Sequence, residues 1–541
     1  MSDKLRKIID FLENSFQGGL MVWFFSFLTI IATRLIIEGL MLGFPSQTLE
    51  EFLAFSLHTF LFFLLSYLVF LIYLQITVKR GFIKTASVLL WCFWVVIFPP
   101  IIDKVYFGDK KVWSFYVFDG IKGLFDKFFS FFGEDLTIGI TLGTRVEVVL
   151  ALIFLSVYFF YYKRGWLKTI FFTLGVYVLF FILGSLPSLF VLIGGIFSGK
   201  NVLGITYNEV AAVFLTPTRY FSYEDKSFVS FMAHKLSFFY TLIIFIQLIF
   251  IQFLSNKTKL IAIFRNIRFP QMVFNWGLFL IGLSLGFFYF PQYFKWDFFQ
   301  ILVILNLLVA VLFAWLNSVV VNDVFDLDID KMTNSDRPLV KGIFSEKGYY
   351  EYGFIFLIIT LVSSLVVGMK PFILIIVYAL LTWIYSAPPF RIKRFFPISL
   401  IIASFSSLLF LIMGYSLVSS GQSLISFPWR ITVFLFVVYC LVLSAKDFKD
   451  IESDGKFGVK TFPVLMGEEN ARTILAVAIL IFYLLSVFVI NESRLFVPAL
   501  LFGGISFWKT INKKVITAQL NWWLLGLVSL YGLFVLSFIF Y

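Results

Sequence analysis

An all-helical, polytopic membrane protein of about fifteen spans is the fold class predicted by these 541 residues, and three observations carry the prediction. Hydrophobic residues make up 60% of the chain and charged residues 14%. Mean hydropathy is +0.96. Apolar runs repeatedly reach the roughly 20 residues that a helix needs to cross a bilayer.

The first element, MSDKLRKIIDFLENSF (1–16), mixes charges with apolar residues at helical spacing: Leu5, Ile8, Ile9, Leu12 and Phe16. It lacks the short apolar core and small-residue cleavage site of a secretory signal, and reads as an interfacial cytoplasmic helix. Spans follow near 19–42, 51–77, 85–102, 145–162, 169–196 and 237–254. A second set runs near 272–290, 298–321, 350–368, 371–387, 397–418, 430–446, 472–490, 495–508 and 518–541. The stretch 205–217, leading into TPTRYFSYEDK, is too short for a crossing and reads as re-entrant or interfacial. The mixed-charge segment 103–144 reads as an amphipathic loop on the outer side. These spans divide the chain into a six-helix module (1–255), a basic cytoplasmic linker (256–271) and a nine-helix bundle (272–541).

The formal charge of +12 resides in short loops between apolar runs. That is the distribution that orients a membrane protein, and no nucleic-acid partner is expected. The basic loops VKRGFIK, YYKRGWLK, NKTKLIAIFRNIR, RIKR and KTINKK alternate with the weakly charged or acidic PSQTLEE, PQYFKWD, SSGQSLIS and NES. Placing the basic set in the cytoplasm makes every parity agree. Cys92 and Cys440 both lie in apolar runs, which excludes a metal knuckle or disulfide framework. Within the first module, KRGFIKT (79–85) recurs as KRGWLKT (163–169), five positions identical and two conservative. Each copy opens an apolar run ending near proline, so 79–102 and 163–187 read as a duplicated helical hairpin. Nothing else in 1–255 forms a reactive constellation, and its partner is unknown.

The chemistry concentrates in NDVFDLDID (322–330). On a continued helix, Asp323, Asp326 and Asp330 fall within a sector of about 60°, with Asn322 beside it and Asp328 on the far, solvated side. DFKDIESD (447–454) repeats the spacing with Asp447, Asp450 and Asp454, again just past an apolar span. Parity puts both on the cytoplasmic side, where they can face one another. Six carboxylates brought together repel unless cations intervene, and hard oxygen ligands select Mg2+, which characteristically joins carboxylates to substrate phosphates. Arg337, Lys446, Lys449, Arg391, Lys393 and Arg394 lie close enough in sequence to neutralise a departing diphosphate.

NDVFDLDIDKMTNSDRPL resembles the first aspartate motif of the UbiA superfamily of intramembrane prenyltransferases, NDxxDxxxD followed by RP. KDFKDIESDGKFGVKTFPVLMG is similar to its second, with the tail Gly458, Lys460, Thr461, Pro463 and Val464, and YSAPPFRIKR (385–394) is similar to the family's connecting loop. The resemblance covers about the C-terminal half. It implies a nine-helix UbiA-like bundle that transfers a prenyl chain from a polyprenyl diphosphate to an aromatic or lipid-precursor acceptor. It also implies two Mg2+ ions bridging the diphosphate, one held by Asn322, Asp326 and Asp330 and the other by Asp447, Asp450 and Asp454. Arg337 and Lys446 assist departure, with Asp323, Tyr385, Arg391, Lys393, Arg268 and Asn275 as substrate contacts. Ser453 stands where many members have glycine and Gly455 where a basic residue is common, which touches substrate geometry and removes no carboxylate. The alternatives are a terpene cyclase of the same superfamily, a cation transporter or a membrane scaffold. Acids at helix ends instead of mid-membrane argue against a transporter. The expected location is a prokaryotic plasma membrane, with the site facing the cytoplasm.

Overall fold

The computed structural model describes residues 3–16, 19–43, 48–108, 110, 120–137, 139–199, 205–215, 219–220, 223–224, 228–293, 297–419, 426–456, 458–512 and 517–540. Most of TPTRYFSYEDK, residues 111–119 of the expected outer loop, and parts of PSQTLEE, PQYFKWD, SSGQSLIS and KTINKK lie outside that set. Among the described residues, fifteen helical runs are long and apolar enough to cross a membrane. The chain forms two compact units, Met1–Arg219 with Glu224–Lys257, and Tyr220–Tyr223 with Thr258–Tyr541.

The first unit contains α1 (Asp3–Asn14), α2 (Leu20–Leu42), α3 (Leu49–Thr77), α4 (Phe82–Cys92), α5 (Phe98–Phe107), α6 (Gly120–Phe129), α7 (Leu142–Lys163), α8 (Trp166–Gly184), α9 (Leu186–Phe197), α10 (Tyr207–Leu215) and α11 (Phe228–Ser255). The run expected as one span over 169–196 divides at Ser185. Pro187 has no N–H to give an interior helical bond, so the chain restarts there as α9. Helix α10, nine residues long, is shorter than a bilayer crossing.

Both KRG loops enter their following helix through a glycine at positive φ. Gly81 and Gly165 precede α4 and α8 with φ of 91° and 140°, a region glycine enters without a Cβ penalty. The hydroxyls of Thr85 and Thr169 donate back to the Gly81 and Gly165 carbonyls at 2.9 and 3.0 Å.

Helix α1 does more than rest at an interface, because its last turn is anchored. Glu13, 2% exposed, accepts hydrogen bonds from Tyr162 at 2.6 Å, Tyr158 at 3.0 Å and Arg80 at 3.2 Å. Burial alone would push Glu13 up, but the bonds from Arg80, Tyr162 and Tyr158 together hold it below the usual glutamate value. Its stabilisation is therefore present above the unfolded pKa and lost as pH falls through the lower folded value. Glu13→Gln is expected to weaken α1 docking by about 2 kcal/mol near pH 7. Hydrogen exchange of 3–14 should show the difference from the parent narrowing below about pH 4.

The second unit begins with α12 (Lys257–Arg265), so the expected linker is largely helical. It continues with α13 (Phe269–Tyr289), α14 (Phe298–Phe325), α15 (Leu327–Thr333), α16 (Glu346–Leu365), α17 (Met369–Ser386), α18 (Ile398–Val418), α19 (Trp429–Val442), α20 (Ile451–Lys456), α21 (Phe462–Met466), α22 (Glu468–Ile490), α23 (Phe496–Ile511) and α24 (Thr517–Phe540). Among the described residues, nine runs of this unit are long enough to cross. Helices α13 and α18 touch backbone to backbone: a Cβ on Gly282 would lie 2.0 Å from the Leu411 carbonyl oxygen, and one on Gly414 2.1 Å from that of Phe279. Small residues permit the close approach on which apolar helices in lipid depend.

Candidate active site

Both aspartate motifs sit where a long helix gives way to a short one, and neither is the uninterrupted helix the spacing predicts. Helix α14 ends at Phe325, Asp326 caps it with φ −108° and ψ 11°, and α15 follows. In the second motif a 3-10 segment, Leu443–Lys449, ends at Asp450 with φ −109° and ψ 9°, and α20 follows. The middle aspartate of each motif thus occupies the same sparsely populated bridge conformation, a region where many active-site residues sit. The breaks are bridged by backbone bonds, Asp330 N–H to the Asp326 carbonyl and Asp454 N–H to that of Asp450, both 2.8 Å.

The motifs face one another. Helices α15 and α20 are in contact, and Asp454 feels the charges of Asp447, Asp450, Lys393 and Asp326. Burial, then Asp447 and Asp450, push Asp454 up to about 7. Burial likewise lifts Asp330 to about 6 against the pull of Arg337. Lys393 is lowered by burial despite the attraction of Asp326.

Basic side chains hold the first motif. The Asp326 carboxylate pairs with Arg391 at 2.8 Å and with Lys393. Arg391 also donates to the Phe325 carbonyl at 2.8 Å, so RIKR folds over the end of α14. Arg337 bridges Asp323, at 2.8 Å, and Asp330. Lys446 hydrogen-bonds with Tyr385, lies over its ring at 5.7 Å and feels the charge of Asp447. Asn322 accepts a long bond of 3.4 Å from the Ser386 hydroxyl. Asn275 is buried in α13 and its amide oxygen has no partner; no contact among the described residues ties it to the acidic cluster.

Asp323 is the most enclosed of the acids, 1% exposed. One oxygen accepts from Arg268 at 2.5 Å and Arg337 at 2.8 Å, the other from Asn266 at 2.7 Å and Tyr349 at 3.0 Å. Asn266 and Tyr349 escaped the sequence reading; Asn266 lies two residues from Arg268 in the basic linker, whereas nothing in the sequence marks Tyr349. Asp328 points outward, its side chain 83% exposed, and pairs with Lys331 at 3.0 Å. Asp328→Asn is therefore expected to leave turnover unchanged and stability within about 0.5 kcal/mol, checked by thermal unfolding beside an activity assay.

Among the described residues, no three His, Cys, Asp or Glu side chains are gathered closely enough to enclose a metal ion. The donor set nonetheless fits a hard divalent cation: it is all oxygen, and burial followed by the like charges of Asp447 and Asp450 raises Asp454.

Comparison with known proteins finds similarity in the second half of the chain. The model of the UbiA prenyltransferase family matches residues 278–524. The chloroplastic 2-acylphloroglucinol 4-prenyltransferase of Humulus lupulus is 32% identical over 161 residues, covering 28% of this chain and 38% of the relative. Digeranylgeranylglyceryl phosphate synthases from Pyrococcus horikoshii and Methanocaldococcus jannaschii are 25% and 30% identical, covering 29% and 32% of this chain and 54% and 59% of theirs. The chain thus spans about half the length of the curated relatives it matches. A solved UbiA homolog from Archaeoglobus fulgidus, bound to GPP and Mg2+, aligns at TM-score 0.38 and 21% identity over 50% of this chain and 99% of its own.

Proposed function

We propose, starting from a C-terminal half that matches the UbiA prenyltransferase family over residues 278–524, that this protein transfers a prenyl chain from a polyprenyl diphosphate to an aromatic or lipid-precursor acceptor within the membrane. The observation that carries the proposal is the pair of aspartate corners, at Asp326 and Asp450, with matching backbone angles and opposed short helices. Asn322, Asp326 and Asp330 on one side, and Asp447, Asp450 and Asp454 on the other, would hold two Mg2+ ions. When bound, these would neutralise charge developing on the leaving diphosphate.

The chain's own cations supply the rest. Arg337, Arg391 and Lys393 lie against the carboxylates and can transfer their hydrogen bonds to an arriving diphosphate. Lys446 with Tyr385 closes the opposite side, and the ring can face the allylic carbon as positive charge grows there. The apolar bundle excludes water that would otherwise capture that carbon. Residues 1–255 form a separate membrane module of unassigned role, joined through the basic segment 256–271. The distribution of basic loops supports a site facing the cytoplasm of a prokaryotic cell.

The experiment supplies labelled prenyl diphosphates of several lengths with Mg2+ and membrane extract to the purified protein. A prenylated acceptor is the expected product. A cyclic hydrocarbon formed without acceptor would favour the cyclase reading, and no release of diphosphate would refute both. A cysteine introduced at Arg394, exposed in the same loop, should be labelled only from the cytoplasmic side.

A further inference from the structure

The first unit contains a carboxylate that its own neighbours leave unanswered. Glu147, in the second turn of α7 and within a membrane-spanning run, opens on a cavity of about 70 Å3 between α3, α4, α7 and α8. It makes no hydrogen bond or ion pair with any described residue, although Arg34 lies within electrostatic reach. Arg34 directs its terminal nitrogens elsewhere, donating to the Val96 carbonyl at 2.6 Å and pairing with Glu38 at 3.6 Å, and lies over the Phe63 ring at 5.3 Å, while its buried Nε has no hydrogen-bond partner. The rest of the wall is mostly apolar, with Phe63, Phe70, Phe93, Phe132 and Phe180 beside aliphatic side chains; the Ser66 and Thr144 hydroxyls on it are taken up by the Phe62 carbonyl and the Thr141 hydroxyl, and no lysine or arginine among the described residues lines it.

An ionisable side chain within a membrane span is costly and marks a functional position when it faces a cavity. An unpartnered acid surrounded by phenyl rings is an environment for a cation. The carboxylate supplies charge, the phenyl rings of the wall offer quadrupole attraction, and the absence of a lysine or arginine on the wall leaves the counter-charge position to a ligand. A strongly hydrated metal ion finds one oxygen and no cage, whereas an organic ammonium group, weakly hydrated and apolar at its edges, suits phenyl walls. We propose that this cavity is a binding site for an organic ammonium group, carried by a small free amine or by the head group of a membrane lipid, with Glu147 as the counter-charge. The inference stands apart from the prenyl-transfer reading and involves none of its residues.

The test is thermal unfolding of the purified full-length protein, followed by tryptophan fluorescence, with tetramethylammonium, choline or ethanolamine as probe and Na+ or K+ at equal ionic strength as control. The expected result is a saturable rise of about 2 °C or more with the ammonium probes alone, absent in Glu147→Gln. Phe180→Leu keeps the carboxylate and most of the volume, and should weaken binding several-fold; it serves as the second variant if Glu147→Gln does not fold. Native mass spectrometry after exchange into phosphatidylethanolamine or phosphatidylglycerol separates the sources. Selective retention of the amine lipid by the parent and not by the variant identifies a head-group ligand, and a response to free amines alone identifies a small one. No ammonium-specific shift in the parent, or the same shift in both variants, overturns the proposal.

Discussion

Asp450→Asn is expected to lower turnover on the order of 10³-fold while leaving the unfolding temperature within about 2 °C of the parent. The substitution keeps the shape of the side chain at the corner and removes one negative charge from beside Asp454. That charge is one of those pushing Asp454 up to about 7, so its loss relieves repulsion in the folded state instead of creating a defect. The charge removed is one that the proposed site needs to bind cation and diphosphate. Steady-state kinetics with a fixed prenyl diphosphate and varied Mg2+, beside a thermal melt in the same detergent, separates the two effects. Turnover within about twofold of the parent would refute the assignment of the second corner to the reaction. Asp326→Asn removes the same charge from the first corner and strands Arg391 and Lys393 as well.

Asp323→Asn should behave in the opposite way, as a failure of structure first. Two guanidinium groups, an amide and a phenol converge on this one carboxylate, 1% exposed. An asparagine offers a single acceptor oxygen and turns its amide hydrogens toward groups that are themselves donors, leaving Arg268 without its ion-pair partner and Arg337 with Asp330 alone. The cost expected for breaking such a buried pair is about 3–5 kcal/mol. Tyr349→Phe removes one neutral donor from the same hub and should cost about 1 kcal/mol. Thermal melts of the two variants give the comparison, and equal unfolding temperatures for Asp323→Asn and the parent would sink the hub. Asp323 thus acts by holding Arg337 beside Asp330, a positioning role for an acid that the motif groups with substrate contacts.

The fifteen crossings were legible because bilayer thickness imposes a length and a composition that survive any detail of packing. The aspartate spacing was legible for a similar reason, since carboxylates beyond the end of an apolar run are costly unless they have a task. What the spacing could not show was the corner at Asp326. A period of 3.6 assumes a continuous helix, and the break depends on α15 meeting α20, a contact between residues more than a hundred positions apart. Tyr349 was hidden because its hydroxyl becomes meaningful only when α16 folds against α14. Glu13 looked like one more charge on an amphipathic helix until α7 brought Tyr158 and Tyr162 to it. Glu147 did leave a trace, an acid inside TRVEVVLALIFL, and the rule that such acids are rarely idle would have singled it out.

One consequence follows from how the acids and bases of the active-site cluster are counted against each other. Asp323, Asp326, Asp330, Asp447, Asp450 and Asp454 stand beside Arg268, Arg337, Arg391, Lys393 and Lys446, so among these side chains positive charge nearly matches negative. Such an assembly has strong fields between its members and a weak one beyond about 8 Å, the screening length at physiological ionic strength. An approaching anion is therefore not steered from afar, as it would be toward an open basic patch. The prenyl diphosphate proposed as substrate would arrive along the membrane by virtue of its apolar chain and meet charge only at contact, so its association rate should depend little on salt.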